Sequence, residues 1–268
     1  MSFDIPSLLA RRKRKRPTTL RPIIPTASQA LDLSEIYQPA LDIWAQAKDS
    51  ILAGYTVTTD SLTVDSPSDI SREIDKAASE FDRLVLSFSV NARRWAVKVE
   101  QWHRSQWAGS VLAGTQIDLK ALLTSAPVAE TVDAFIARNV ALVRDVSAQA
   151  QSRISDAVFR GYQNRTPVRE VAKQIDEAVG LGRQRAVRIA SDQSKKISAA
   201  LDRERQAEAG IDQFKWRHSG KLHPRLDHKA RDGIIYAWAD PPSELPGELP
   251  WCGCRAQAYI PLMDEVAA

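Results

Sequence analysis

Three histidines and both cysteines of a 268-residue chain, His218, His223, His228, Cys252 and Cys254, fall within residues 218–254. Imidazole nitrogen and thiolate sulfur are the donors that zinc favours, and a small module with a thin core gains stability from a bound cation. The set predicts His228, Cys252 and Cys254 as ligands, with His218 or His223 in the fourth place and zinc as the cation. The spacing argues the other way. Cys-x-Cys is tighter than the roughly two- to four-residue gap usual in zinc modules. Pro224, between His223 and His228, keeps those two from pairing along a helix. Without a metal, His228 hydrogen-bonds locally and the cysteines pack as small apolar side chains. A disulfide across one intervening residue would be strained.

The same stretch could serve hydrolysis, with a histidine activating water beside a cation and His223, His228 and Asp232 in the roles. No acid pair flanks the cluster. The chain contains no phosphate-binding glycine loop, G-x-S-x-G elbow or dinucleotide fingerprint. The reading is that the chain is not an enzyme, with a metal-dependent nuclease built on the C-terminal His/Cys module as the alternative.

Charge is concentrated at the other end. Residues 1–25 hold seven basic residues against one acid, which is 7 − 1 = +6, so the remainder carries 4 − 6 = −2. The run Arg11, Arg12, Lys13, Arg14, Lys15 and Arg16 suits a phosphate backbone or an acidic protein surface. It has no interleaved aromatic residue for base stacking. Pro17, Pro22 and Pro25 interrupt regular structure, so residues 1–27 read as an extended arm. The basic run follows the apolar start instead of preceding it, unlike a secretory leader. No apolar run approaches the roughly 20 residues of a membrane span. The expectation is synthesis in a cytosol and no membrane partner.

The elements that must carry these residues are mostly helical. A helix is expected over about 33–53, capped by Asp32 and Glu35 and ended by Gly54. Residues 55–65 read as extended or loop. After Ser66-Pro67, a helix start, Ile74, Phe81, Phe88, Trp95 and Trp102 recur every seven residues. Ala78, Val85, Ala92 and Val99 follow each of the first four. A second long helix to about Asn164 offers smaller residues in two such rows: Ile136, Val143, Ala150, Ala157 and Val140, Ser147, Ile154, Gly161. The two are expected to form a hairpin turning within 114–126. Trp107 lies off the seam and is the candidate for an exposed contact. Further helices are expected over 167–179 and about 183–209, separated by Gly180 and Gly182. The basic residues of the latter, among them Arg183, Arg185 and Arg188, read as a mixed-charge solvated surface.

Past Gly210 the pattern turns to alternation. Strands are expected at 214–218, 234–236 and 256–260, with a helical turn within 224–231 and a proline-rich loop over 240–250. The fold class is mainly α, a long helical hairpin or bundle followed by a compact α+β module of short strands. The division is arm 1–27, helix and linker 28–65, bundle 66–210 and module 211–268.

The stretches RAVRIASDQSKKISAA (185–200) and AEAGIDQFKW (207–216), with Trp216 in the strand, resemble the head-morphogenesis domain of phage Mu protein F-like minor head proteins. So do Arg225, His228, Asp232 and Gly233, and the terminal Cys252-Gly253-Cys254-Arg255. The likeness covers roughly 125–262. Many relatives carry a Cys-x-x-Cys before the Asp-Gly and a His before the last cysteines. This chain has Arg225 and His228 at the first two positions and Leu249 at the third, so it departs from a four-ligand set. The resemblance implies a minor virion component in multiple copies near the portal vertex, acting in head assembly and DNA packaging or delivery. Its implied partners are the portal protein, phage DNA and a major capsid or scaffold protein.

Overall fold

Four long helices carry most of the chain, each where apolar residues recur at helical spacing. The computed structural model describes residues 4–11, 16–60, 68–120, 123 and 128–262. In order the elements are α1 (Ile5–Ala10), β1 (Thr18–Thr19), α2 (Ala27–Asp60), α3 (Ser68–Thr115), α4 (Ala129–Asn164) and α5 (Val168–Glu208). Then come β2 (Gln213–Arg217), α6 (Leu226–Ala230), β3 (Ile235–Ala237) and β4 (Arg255–Ile260). This is the expected mainly α chain with a small α+β module. No helix among the described residues is long and apolar enough to cross a membrane.

The chain divides into two compact units that cut across sequence order. One comprises Met1–Gln29, Ala96–Phe135 and Asp192–Ala268; the other comprises Ala30–Trp95 and Ile136–Ser191. Helices α3, α4 and α5 each supply residues to both.

In the second unit the seven-residue seam is the core. Ile74, Phe81, Phe88 and Trp95 are buried, as are Val85 and Ala92. From α4, Ile136, Val143, Ala150, Ile154 and Ala157 are buried. Helix α2 adds three large aromatic side chains whose polar tips are all satisfied. Tyr37 donates to Asn139 Oδ1, Trp44 Nε1 to Ser147 Oγ at 2.9 Å, and Tyr55 Oη to the Thr166 carbonyl at 2.5 Å. Buried hydroxyl and indole groups are costly without such partners, which fixes the rotation of α2 about its axis.

Several sequence expectations are corrected here. The capping pair of α2 is Thr26 and Gln29, not Asp32 and Glu35. Thr26 N donates to Gln29 Oε1 at 2.9 Å and Gln29 N to Thr26 Oγ1 at 3.3 Å, the reciprocal capping box. The helix passes Gly54 and continues to Asp60, because Tyr55 still has a buried place to fill. Residues 61–67, including Ser66-Pro67, lie outside the described residues, as do 121–122 and 124–126 of the expected turn within 114–126. Gly180 and Gly182 do not divide α5. Each costs about 1 kcal/mol relative to alanine in a helix, and the buried row Val171, Ile175, Ala178, Val179, Ala186 and Ile189 carries the helix through.

In the first unit the N-terminal residues are not an extended arm. Asp4 caps α1 by accepting from Ser7 N at 2.9 Å, and the hydrogen bonds from the Ser7 hydroxyl and then from its N–H hold the Asp4 carboxyl below the usual range. Ile5 N donates to the Ala209 carbonyl at 3.0 Å. Ile5, Leu9, Leu20 and Ile23 join Val111, Leu119, Ile211 and Ile260 in one buried cluster. Strand β1 pairs antiparallel with β4, Thr18 opposite Ile260. Trp107 is 2% exposed within this cluster, not a surface contact, because α3 continues to Thr115 and places it against the N-terminal segment. The sheet order is β1-β4-β2-β3, antiparallel throughout.

Candidate functional site

Strand β2 starts the site. Its alternation sends Phe214 and Trp216 inward, both fully buried. Trp216 N donates to the Ile234 carbonyl and Gly233 N to the Trp216 carbonyl, at 2.8 and 2.9 Å. The return turn puts Gly233 at φ +88°, a backbone region that L side chains avoid. Asp232 Oδ1 accepts from His218 N at 2.9 Å. The Asp-Gly pair is thus the fold's turn, and Asp232 is committed to the backbone rather than to the histidines.

The short helix α6 presents His228, which is 2% exposed. Its ring stands edge-on to Trp216, centroids 5.2 Å apart at 79°. The Arg231 guanidinium also lies over the Trp216 ring, 5.2 Å from its centroid. Arg225 leads into α6 and donates to the Pro250 carbonyl at 3.0 Å, joining α6 to the proline-rich loop.

That loop delivers the cysteines. It is held on α5 by Lys196, whose ammonium donates to the carbonyls of Gly247, Glu248 and Leu249 at 3.2, 2.7 and 2.9 Å. Asp192 Oδ1 accepts from Trp251 N at 2.7 Å, which steadies Trp251 at φ +63°. Gly253 separates the cysteines where a Cβ would lie 3.0 Å from Ser219 Cβ. Arg255, 5% exposed, donates to the Lys195 carbonyl at 2.9 Å; burial depresses its pKa while Asp202 and the cysteines favour its charge.

These ties bring three donors together. Cys252 Sγ is 3.4 Å and Cys254 Sγ 3.6 Å from His228 Nδ1, and the three ligand atoms lie within 4.8 Å of one another. Among the described residues this is the one cluster of three or more such groups. Both cysteines are buried and unpaired by disulfide. The Cys252 thiol is pulled down to about 4, chiefly because it accepts from the Cys254 side chain and then from backbone N–H groups of Cys254 and Gly247, against the opposing cost of burial. Cys254 is pushed up, since it donates to Cys252 and is buried. On the far side of the imidazole, His228 Nε2 meets Glu244 Oε2 at 3.0 Å, the carboxylate support common behind metal-bound histidines.

The sequence expectation of His228, Cys252 and Cys254 as a group agrees with this geometry. His218 and His223 line a cavity of about 310 Å³ beside the three but fall outside the cluster; His218 Nδ1 accepts from Gly220 N at 3.1 Å. Of the His223, His228 and Asp232 set of the nuclease reading, Asp232 accepts from His218 N and does not line that cavity. Glu244, Lys196 and Asp192 were not legible as site residues, since charged residues in a loop or on a helix carry no spacing signal. Of the basic run, Arg11 and Arg16 are exposed, and residues 12–15 lie outside the described residues.

Residues 150–257, which take in the end of α4, α5, the sheet from β2 and this cluster, match the family described as Phage Mu protein F like protein. An uncharacterized protein of Haemophilus influenzae is 33% identical over 154 residues, covering 56% of this chain and 34% of the relative. The chain thus spans about a third of that relative's length. No solved structure matches.

Proposed function

From a Phage Mu protein F like domain over residues 150–257, we propose that this chain is a minor head protein of a tailed phage, acting in head morphogenesis. The domain match is the observation that carries the reading. It covers buried residues that define the C-terminal module, Trp216, His228, Cys254 and Arg255 among them. The long helices suit a scaffold whose work is done by shape and surface.

Two finer roles belong to the same proposal. The chain contacts DNA through Arg11, Arg12, Lys13, Arg14, Lys15 and Arg16, and it joins the portal vertex in several copies, beside major capsid or scaffold protein. The basic run is bounded by α1 and β1, both packed into the first unit. A run of six cations suits phosphates, where binding gains from counterion release. Deleting residues 1–21 would remove Ile5, Leu9 and Leu20 from the core, so neutralising the run by substitution is the cleaner test.

The deciding experiment is a nonsense mutation in the gene of the phage that encodes this chain, with lysates viewed by electron microscopy. Normal tails with aberrant or empty heads are expected. Full-yield, DNA-filled heads would contradict the proposal.

A further inference from the structure

The donor geometry in the C-terminal module supports more than buried packing. We propose that His228 Nδ1, Cys252 Sγ and Cys254 Sγ hold one zinc-class cation as three protein ligands, leaving a fourth position open to the adjacent cavity for an exchangeable small anion or water.

The distances carry the first part. Zinc bonds of about 2.3 Å to sulfur and about 2.0 Å to imidazole, at tetrahedral angles, separate the two donors by about 3.6 Å. The observed separations from Nδ1 are 3.4 and 3.6 Å. A neutral imidazole nitrogen has one lone pair and accepts one good hydrogen bond from a thiol. Two sulfurs at nearly equal distance from it fit a cation at their common centre better than two competing thiol bonds. Glu244 on Nε2 fixes the tautomer, keeping the proton on that side and the lone pair of Nδ1 toward the sulfurs. Glu244 is thus a positioning residue, acting through His228. Trp216, packed on His228 and hydrogen-bonded to Cys254 through its side chain, closes one side of the site.

The cavity carries the second part. His218 and His223 border it but contribute no atom to the cluster, and the rest of the lining includes two cationic residues, Lys221 and Arg225, and no acid. A site with two thiolates and one imidazole on a divalent cation has no net charge. The flanking cations then favour a small anionic donor in the open place. This is the arrangement in which a site keeps an exchangeable position instead of a closed structural shell. The inference is independent of the head-protein reading.

The test uses the full chain, reduced, stripped by chelator and titrated with Co²⁺ alone. One equivalent with a thiolate-to-cobalt charge-transfer band and tetrahedral visible bands is expected, displaced by one equivalent of Zn²⁺. Absence of that band in the unsubstituted protein overturns the site without recourse to any variant. Glu244→Gln should keep the stoichiometry and weaken affinity by roughly 10- to 100-fold; unchanged affinity removes its positioning role. Cys252→Ser and Cys254→Ser should each abolish the band with helical circular dichroism retained, and a retained band overturns the ligand set. His218→Ala and His223→Ala should leave stoichiometry and spectrum unchanged, and azide should shift the visible bands. Loss of binding in either histidine variant, or bands indifferent to azide, overturns the open position in favour of a closed four-residue site.

Discussion

In the unit built from Ala30–Trp95 and Ile136–Ser191, large apolar side chains repeat along helices and bury against one another. In the module from residue 211 onward, single polar side chains span loops and do the corresponding work. The first arrangement spreads stability over many similar contacts: Ile74, Phe81, Phe88 and Trp95 each occupy an equivalent place. The second concentrates it. Lys196 alone answers three loop carbonyls, and Asp192 and Arg255 tie Trp251 N and the Lys195 carbonyl. The repeated core draws on many like contacts, whereas the loop depends on a few charged ones, from Lys196, Asp192 and Arg225.

Substitutions should separate the two regimes. The largest effects are expected where a buried group loses most. Trp95→Ala should lower stability by about 3–5 kcal/mol through lost burial and a residual cavity, read as a shift of the urea midpoint. Glu100→Ala, in the first unit, should cost a similar amount by a different route. Arg205 is fully buried between Glu100 and Glu208, at 2.6 Å from each, and removing one partner of such a pair costs about 3–5 kcal/mol. Restoring the loss with a neutral Arg205→Met in the same chain would identify charge, not volume, as the cause.

Next comes Lys196→Met, for which about 2–3 kcal/mol is expected because charged hydrogen bonds to carbonyls are lost and their acceptors stranded. Hydrogen exchange should quicken over 245–254 with little change over 70–95. Exchange that rises equally in both stretches would break the comparison. A smaller effect, about 1–2 kcal/mol, is expected for Ser147→Ala, which leaves Trp44 Nε1 buried without its acceptor; Trp fluorescence through the unfolding transition would report it. The smallest is Arg183→Ala. Its bond to Asp42 at 2.6 Å joins two side chains that are 46% and 37% exposed, so less than about 1 kcal/mol is expected, fading with added salt.

The same contrast explains what could be read from residues alone. The seam from Ile74 to Trp95 was legible because a helix repeats its buried face every seven residues, and Phe214-Lys215-Trp216 because a strand alternates. His228, Cys252 and Cys254 were legible as a group by residue type alone. Glu244 was not, since nothing in a proline-rich loop marks which acid turns toward a histidine 16 residues earlier in the chain. Strand β1 was not, because two threonines carry no alternation and their pairing with β4 depends on a segment about 240 residues away. Trp107 misled for a related reason. Its place is made by Ile5, Leu9 and Leu20, and a helix pattern cannot announce a partner that is not a helix neighbour.

The central claim is that this chain is built into phage heads. Quantitative mass spectrometry of gradient-purified, nuclease-treated particles addresses it most directly. The account predicts peptides of this chain at a constant few to several copies per particle, with cross-links from residues near the basic run to the portal. Particles that are infectious and contain no peptide of the chain would contradict it.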